Sequence, residues 1–116
     1  MRPETIVQRK IQGALKACGY LSIFIPNRGT YNPRTRMYNI VTDPYFVKGV
    51  PDLVVLLLEA KVLWVEVKSA TGKRSPAQDE MADRLARMGH FYVLARSVSD
   101  VMTWLKGAGY RYGEIA

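Results

Sequence analysis

The residues with the types and spacing for chemistry are two acids and a lysine at the ends of two apolar segments. Asp52 follows a Gly-Val-Pro turn and directly precedes the apolar run Leu53–Leu58. Glu66 and Lys68 stand two residues apart at the end of the next apolar run, Val62–Val67, so in a strand they point to the same face. A charged group at the rim of a buried strand must be paired or must bind a metal ion.

Each of these residues also has a simpler interpretation. Glu66 and Lys68 can form an ordinary ion pair, which contributes little at a solvated strand end. Asp52 can be a turn residue, because Asp is common after Gly and Pro. Gln78 ends the motif Ser75-Pro76-Ala77-Gln78, which is the pattern of a helix-starting capping box. The joint order along the chain, Gly-x-Pro-Asp, apolar strand, turn and Glu-x-Lys, favours a functional site.

Hydrophobic periodicity and turn signals predict the elements that position these residues. They indicate one α/β domain over residues 1–116, with a mixed sheet of about four strands between helices. Helices are predicted at Pro3–Cys18, from Ser75 to Gly89 with Met81, Leu85 and Met88 as its buried stripe, and from Ser97 to about Gly107. Strands are predicted at Tyr20–Pro26, Leu53–Leu58, Val62–Val67 and Phe91–Ala95, with room for a short strand at Met37–Val41 inside the long loop 27–49.

The turn between the two apolar strands sets a geometric condition. A two-residue turn would put Asp52 and Glu66 on opposite faces of the sheet, because neighbouring strand residues alternate. A shared site therefore needs one of three arrangements. The turn has an odd number of residues, such as Glu59-Ala60-Lys61, or one strand contains a bulge, or Asp52 precedes the regular strand.

The motifs in this order resemble a known family. Gly49-Val50-Pro51-Asp52 followed by Glu66-Val67-Lys68 resembles the signature of the PD-(D/E)XK nuclease superfamily. Further matches narrow the resemblance to the VRR-NUC family, the virus-type replication-repair nuclease domain; they are Glu4, Gln8, Ser69 and Ser75-Pro76-Ala77-Gln78. The resemblance extends over about residues 4–105. The resemblance implies a restriction-endonuclease-like core. It also implies a short stand-alone phage or bacterial member, similar to Holliday-junction resolvases that act as homodimers.

The resemblance also implies roles for individual residues. The implied catalytic residues are Asp52, Glu66, Lys68, Gln78 and Glu4. Asp52, Glu66 and the backbone carbonyl of Val67 would hold Mg²⁺ or Mn²⁺, hard cations that prefer oxygen ligands. Lys68 would orient the attacking water or stabilise the developing charge. The expected activity is hydrolysis of branched DNA, such as a four-way junction in DNA repair, leaving 5′-phosphate and 3′-hydroxyl ends.

Two other functions remain as alternatives. One is a nuclease specific for flaps or replication forks. The other is a catalytically silent DNA-binding module on the same fold. Because silent relatives usually lose the lysine or an acid, the presence of Asp52, Glu66 and Lys68 favours an enzyme.

The charge of the chain favours a polyanionic partner. Seventeen Lys and Arg against ten Asp and Glu give a net charge of +7, which suits nucleic acid. The long loop mixes basic and aromatic side chains, as phosphate contact and base stacking require. The candidate DNA-binding residues are Arg28, Arg34, Arg36 and Lys48 in that loop and Lys73 and Arg74 before the second long helix. No apolar run is long enough to cross a bilayer, and the single cysteine, Cys18, is consistent with a reducing cytoplasm, bacterial or of a phage-infected host.

Overall fold

The structure of the chain is a computed structural model that describes residues 1–26, 31–32, 34, 37–38 and 44–112, with residues 31–32 and 37–38 described by their backbone. The helices are α1 Pro3–Ala17, α2 Pro76–Arg87 and α3 Val98–Gly107. The strands are β1 Ser22–Phe24, β2 Tyr31–Asn32, β3 Met37–Tyr38, β4 Leu53–Leu56, β5 Val62–Val67 and β6 Phe91–Ala95. None of the helices in these ranges combines the length and the apolar composition that crossing a membrane would take.

The helices begin and end at the signals read from the sequence. Ser75 caps α2 in a complete capping box, with its side chain accepting the N–H of Gln78. Ser97 caps α3 with its side chain alone, which accepts the N–H of Asp100. Gly19 follows α1 with a positive φ of 86°, a backbone conformation that glycine adopts without steric cost. Local sequence therefore determines where these helices start and stop.

The main sheet has four strands in the order β1-β4-β5-β6. β4 pairs antiparallel with both β1 and β5, whereas β5 pairs parallel with β6. α2 connects the two parallel strands, as a parallel connection requires. The predicted mixed four-stranded α/β fold is thus confirmed.

The two faces of this sheet have different surroundings. One face carries the fully buried side chains Leu53, Val55, Leu63, Val65 and Val67. They form a single core with Ile11 and Leu15 of α1 and with Val101 and Leu105 of α3. The alternate residues of β4 and β5 lie on the opposite face, where Gln78 of α2 reaches Glu66. Glu66 and Lys68 belong to this second face and are nevertheless buried.

The turn between β4 and β5 has an odd number of residues, which is one of the arrangements that let Asp52 and Glu66 share a face. Leu57 donates its N–H to the carbonyl of Lys61 at 2.9 Å, so the turn consists of the three residues between them. The prediction of a three-residue turn is therefore confirmed, but its position is wrong by one residue, because the turn begins at Leu58 rather than at Glu59. Glu59 and Ala60 both have positive φ, 61° and 60°, as the central residues of a type I′ turn do.

Other predicted boundaries differ from the structure in detail. β1 and β4 are shorter than predicted and end at Phe24 and Leu56. Met88 is 65% exposed because α2 ends at Arg87, and Ala82 is buried in the stripe instead. The long loop contains a separate two-stranded ribbon formed by β2 and β3. Only the first two residues of the short strand predicted at 37–41 fall within the described part.

Candidate active site

Asp52 and Glu66 lie opposite each other on neighbouring strands. The register pairs Leu53 with Val65, and one step further along this register Asp52 faces Glu66 on the same side of the sheet. Asp52 lies just before β4 and still follows the pleat, because Ile25 donates its N–H to the Asp52 carbonyl at 2.8 Å. The Asp52 carboxylate accepts the N–H of Val67 at 2.8 Å. The hairpin thus brings the two predicted acids together.

Gly49 explains why the turn before Asp52 needs glycine. Gly49 has a φ of +80°, and a Cβ built on it would lie 2.3 Å from the carbonyl oxygen of Ala77 and 2.9 Å from the nitrogen of Gln78. No side chain fits between these two stretches of backbone. The turn that carries Asp52 therefore rests directly on the first turn of α2, which carries Gln78.

Gln78 serves the helix and the acidic pair at once. Its Oε1 accepts the N–H of Ser75 at 2.8 Å in the capping box. Its Nε2 donates to Oε2 of Glu66 at 3.3 Å. The capping interpretation of Gln78 is therefore confirmed and is compatible with the functional one, because the two ends of one amide have different partners.

The environment of Glu66 opposes its ionisation. Glu66 is 1% exposed, and its Oε1 is buried without a hydrogen-bond partner among the described residues. Burial, then the contact with the Asp52 carboxyl group and its negative charge, raise the pKa of Glu66 from 4.5 to about 9, against the opposing effect of Lys68. A buried carboxylate with an unused oxygen is a group that a cation would stabilise.

Lys68 lies on the same face as Glu66 and is 8% exposed. Within the described ranges its ammonium group has no carboxylate within 4 Å, so a simple Glu66–Lys68 ion pair is not formed. Its stem packs beside the turn that follows β5, since a Cβ on Gly72 would lie 3.6 Å from Cδ of Lys68. Lys68 is thus a buried lysine that has no carboxylate partner in the described part of the chain.

The oxygen atoms at this position fit a hard divalent cation. Lys68 donates its N–H to the Ala95 carbonyl at 3.0 Å, and amides alternate in direction along a strand. The amide and carbonyl of Val67 therefore point away from β6, toward Asp52. This side presents the carboxylates of Asp52 and Glu66 and the Val67 carbonyl, an all-oxygen set that suits Mg²⁺ or Mn²⁺.

Glu4 lies near this pair without joining it. It lines a cleft of about 160 Å³ together with Asp52, and its charge contributes to the raised pKa of Glu66, after burial and Asp52. Yet no three His, Cys, Asp or Glu side chains of the described part come together as a set of metal ligands. The role of Glu4 as a third acid stays a prediction.

Arg96 is a residue of this site that the sequence analysis missed. It follows β6 and donates from one terminal nitrogen to the backbone carbonyls of Ser69 at 2.6 Å, Ala70 at 3.4 Å and Gly72 at 2.6 Å. Asp100 accepts the N–H of Arg96 at 2.8 Å. The arginine thereby fixes the turn directly after Lys68. No local pattern predicts these contacts, because they join residues 24 to 27 positions apart.

The predicted DNA-binding residues fall into three groups. Arg34, Lys48 and Lys73 are exposed. Arg74 is exposed but bound, because its Nε lies 2.8 Å from Oδ1 of Asp79. Arg28 and Arg36 lie outside the described residues. The structure adds candidates that the sequence analysis had not assigned to DNA, namely Arg2, Thr5 and Gln8, which line the cleft beside Asp52.

Comparison with known proteins finds a family match and a structural match. The family model of the VRR-NUC domain matches residues 44–99. A solved structure described as a VRR_NUC domain has a TM-score of 0.65 and 24% sequence identity, covering 95% of this chain and 100% of that one. The search of curated proteins returned no match.

The structural match bears on the fold, and the family match covers the segment that contains the two predicted acids. Asp52, Glu66, Lys68 and Gln78 all lie inside the segment that the family model covers. A match to this family implies a nuclease-type function. The predicted resemblance to the VRR-NUC family is therefore confirmed for residues 44–99.

Proposed function

We propose that the protein is a divalent-metal-dependent DNA endonuclease. The observation that carries this proposal is the pair of acids facing each other across the hairpin, one of them buried with an unused oxygen, beside a lysine without an ion-pair partner in the described part. A carboxyl pair in this environment opposes the folding of the metal-free protein, and a bound cation removes that cost.

The side chains have distinct tasks in phosphodiester hydrolysis. Asp52, Glu66 and the carbonyl of Val67 would hold Mg²⁺ or Mn²⁺, which supplies Lewis acidity and a more acidic water. Lys68 orients the attacking water or stabilises the charge on the phosphoryl oxygens. Gln78 holds the Glu66 carboxylate through its amide, and Glu4 adds negative charge beside Asp52. The products we expect carry 5′-phosphate and 3′-hydroxyl ends.

The proposed substrate is branched DNA, and the proposed active form is a homodimer. One chain of 116 residues presents one such site, so paired cuts in the two strands of a four-way junction need two chains. A two-fold dimer matches the near two-fold symmetry of that junction. The net charge of +7 supports a nucleic-acid substrate, and we expect Arg28, Arg34, Arg36, Lys48 and Lys73 to contact phosphates.

A cleavage assay tests this function and its alternatives together. Labelled four-way junctions, flaps, forks and plain duplex are incubated with the wild type in Mg²⁺, in Mn²⁺ and in EDTA. We expect metal-dependent cutting of the junction, and no cutting by Lys68→Ala, Asp52→Asn or Glu66→Gln. Lys106→Ala, which removes an equal charge from α3, is the matched control and should cut normally.

Each other result of this assay has a definite meaning. Preferred cutting of flaps or forks would identify the alternative substrate class. Tight DNA binding without cutting in any metal would identify the silent DNA-binding module. Full activity of Asp52→Asn or Glu66→Gln would contradict the metal site itself.

A further inference from the structure

A guanidinium group and a phenol form a second polar pair at the start of α2. Arg74 is held by Asp79, with 2.8 Å between Nε and Oδ1. Its NH1 lies 3.5 Å from the hydroxyl of Tyr92, and its guanidinium carbon lies 5.9 Å from the centroid of the Tyr92 ring. A surface arginine held at two points has already lost much of its rotamer entropy, which lowers the cost of binding a ligand.

This pair lies on the same face of the sheet as the acids. The parallel register places Tyr92 opposite Trp64 and Leu94 opposite Glu66. Tyr92 is therefore on the face of Glu66 and diagonal to it, within reach of a long side chain. The electrostatic influence of Glu66 extends to both Arg74 and Tyr92.

The groups that the pair leaves unused are all hydrogen-bond donors. A guanidinium has five N–H donors. In the described part of the chain one of those of Arg74 is directed to Asp79 and one to Tyr92. The Tyr92 oxygen accepts from Arg74, which leaves its own proton free to donate. Several donors and a positive charge, on an arginine side chain that is 34% exposed, suit a ligand that only accepts hydrogen bonds and is negatively charged.

We propose that Arg74 and Tyr92 together bind one phosphodiester group of the DNA strand that is cut, next to the phosphodiester at Asp52 and Glu66. This inference rests on the proposed nuclease function. Asp79 offsets part of the charge of Arg74, so a free phosphate ion binds only weakly at this position. A phosphate within a strand already bound at the acids is presented at high effective concentration.

DNA binding measured at several salt concentrations tests the pair directly. Arg74→Ala and Tyr92→Phe are each introduced separately into the Lys68→Ala protein. In this background junction DNA is bound in Mg²⁺ without being cut. We expect Arg74→Ala to weaken binding about tenfold and to reduce the salt slope by about one. Tyr92→Phe should weaken binding about threefold and leave the slope unchanged, because it removes a neutral donor.

A second arginine–tyrosine pair provides the matched control. Arg111 lies over the ring of Tyr20 with 5.6 Å from its guanidinium carbon to the centroid, and the Tyr20 hydroxyl donates to the Arg111 carbonyl at 2.7 Å. Arg111→Ala and Tyr20→Phe make the same chemical changes at a different part of the surface. If the Arg74 and Tyr92 variants bind DNA no more weakly than these controls, the proposal is overturned.

A charge-removing variant separates ligand binding from a purely structural role. Asp79→Asn breaks the same ion pair and frees the guanidinium of Arg74. If Arg74 only stabilises the start of α2 through its ion pair with Asp79, Asp79→Asn weakens DNA binding as Arg74→Ala does, and the proposal fails. If Arg74 binds phosphate, the Asp79→Asn variant binds DNA as tightly as the Lys68→Ala protein from which it is made, or more tightly. Absence of cleavage by the wild type would contradict the proposed function, while this binding comparison would still decide the role of the pair.

Discussion

The buried carboxyl pair predicts that binding of a divalent metal releases a proton. The environment of Glu66, first its burial and then the neighbouring Asp52, raises its pKa from 4.5 to about 9. At pH 7 Glu66 therefore holds a proton in the metal-free protein, whereas a metal ligand must be a carboxylate. We expect Mg²⁺ or Mn²⁺ to displace about one proton per bound ion at this pH.

The size of this effect follows from the pKa. At pH 7, two units below a pKa of about 9, about one molecule in a hundred has an ionised Glu66. The apparent metal affinity is then about 100-fold weaker than it is well above that pKa, because only this fraction is competent to bind. Between pH 6 and pH 8 the affinity should rise about tenfold per pH unit.

Titration calorimetry with Mn²⁺ measures both the affinity and the released proton. Experiments at pH 6.5, 7.5 and 8.5, each in two buffers of different ionisation enthalpy, separate proton release from the heat of binding. Glu66→Gln should bind the metal weakly and release no proton. Glu80→Gln, at an exposed position of α2, should behave as the wild type. An affinity that does not change over this pH range would refute the reasoning.

The same proton makes the stability of the metal-free protein depend on pH. Because the folded-state pKa of Glu66 is raised above 4.5, the folded state binds more protons than the unfolded state between pH 4.5 and about 9. The free energy of unfolding therefore falls as pH rises through this window, by about 3 kcal/mol up to pH 7. Glu66→Gln cannot ionise and should be more stable than the metal-free wild type in urea at pH 8. Equal stability of the two proteins would contradict the raised pKa.

Three further predictions concern the backbone that supports the site. Gly49→Ala should lose about 2–4 kcal/mol of unfolding free energy in urea because of its clash with α2, whereas Gly89→Ala, with a similar φ and open space around it, should lose only about 1 kcal/mol. Replacing Glu59-Ala60 by Asn-Gly should raise the free energy of unfolding in urea by about 1 kcal/mol. Both positions have positive φ, which Asn and Gly adopt more readily, so a loss of stability would contradict the turn geometry. Arg96→Lys should lower kcat about tenfold with unchanged Mn²⁺ affinity, because one ammonium cannot hold the turn that a guanidinium holds; an unchanged kcat would show that this turn does not position the lysine of the site.

The secondary structure was largely predictable because its signals are local. A capping box at Ser75, a cap at Ser97 and a glycine after α1 act on their own neighbours along the chain. β5 and β6 were predicted at the residues where they are found, since their apolar runs end at clear turns. The predictions that failed are the ends of β1 and β4 and the burial of Met88, and these depend on how far the strands pair and on what packs beyond the last turn of α2.

The sequence also determined a condition on the hairpin without choosing how to meet it. If Asp52 and Glu66 share a face, alternation along a strand requires a turn with an odd number of residues, a bulge in one strand, or an Asp52 that precedes the regular strand. Which three residues form the turn depends on the pairing of whole strands, and the structure selects Leu58, Glu59 and Ala60. Residue types alone predicted a turn one position later, because neither Glu nor Ala favours the left-handed conformation that both adopt.

The sequence by itself determined the residue types of the site, Asp52, Glu66, Lys68 and Gln78, and the elements that carry them. Only the tertiary structure decided which groups meet across those elements. The hydrogen bond of Gln78 to Glu66 and the three carbonyls held by Arg96 join residues far apart in the chain. Such contacts follow from how strands pair and helices dock, and a local pattern of residues does not contain that information.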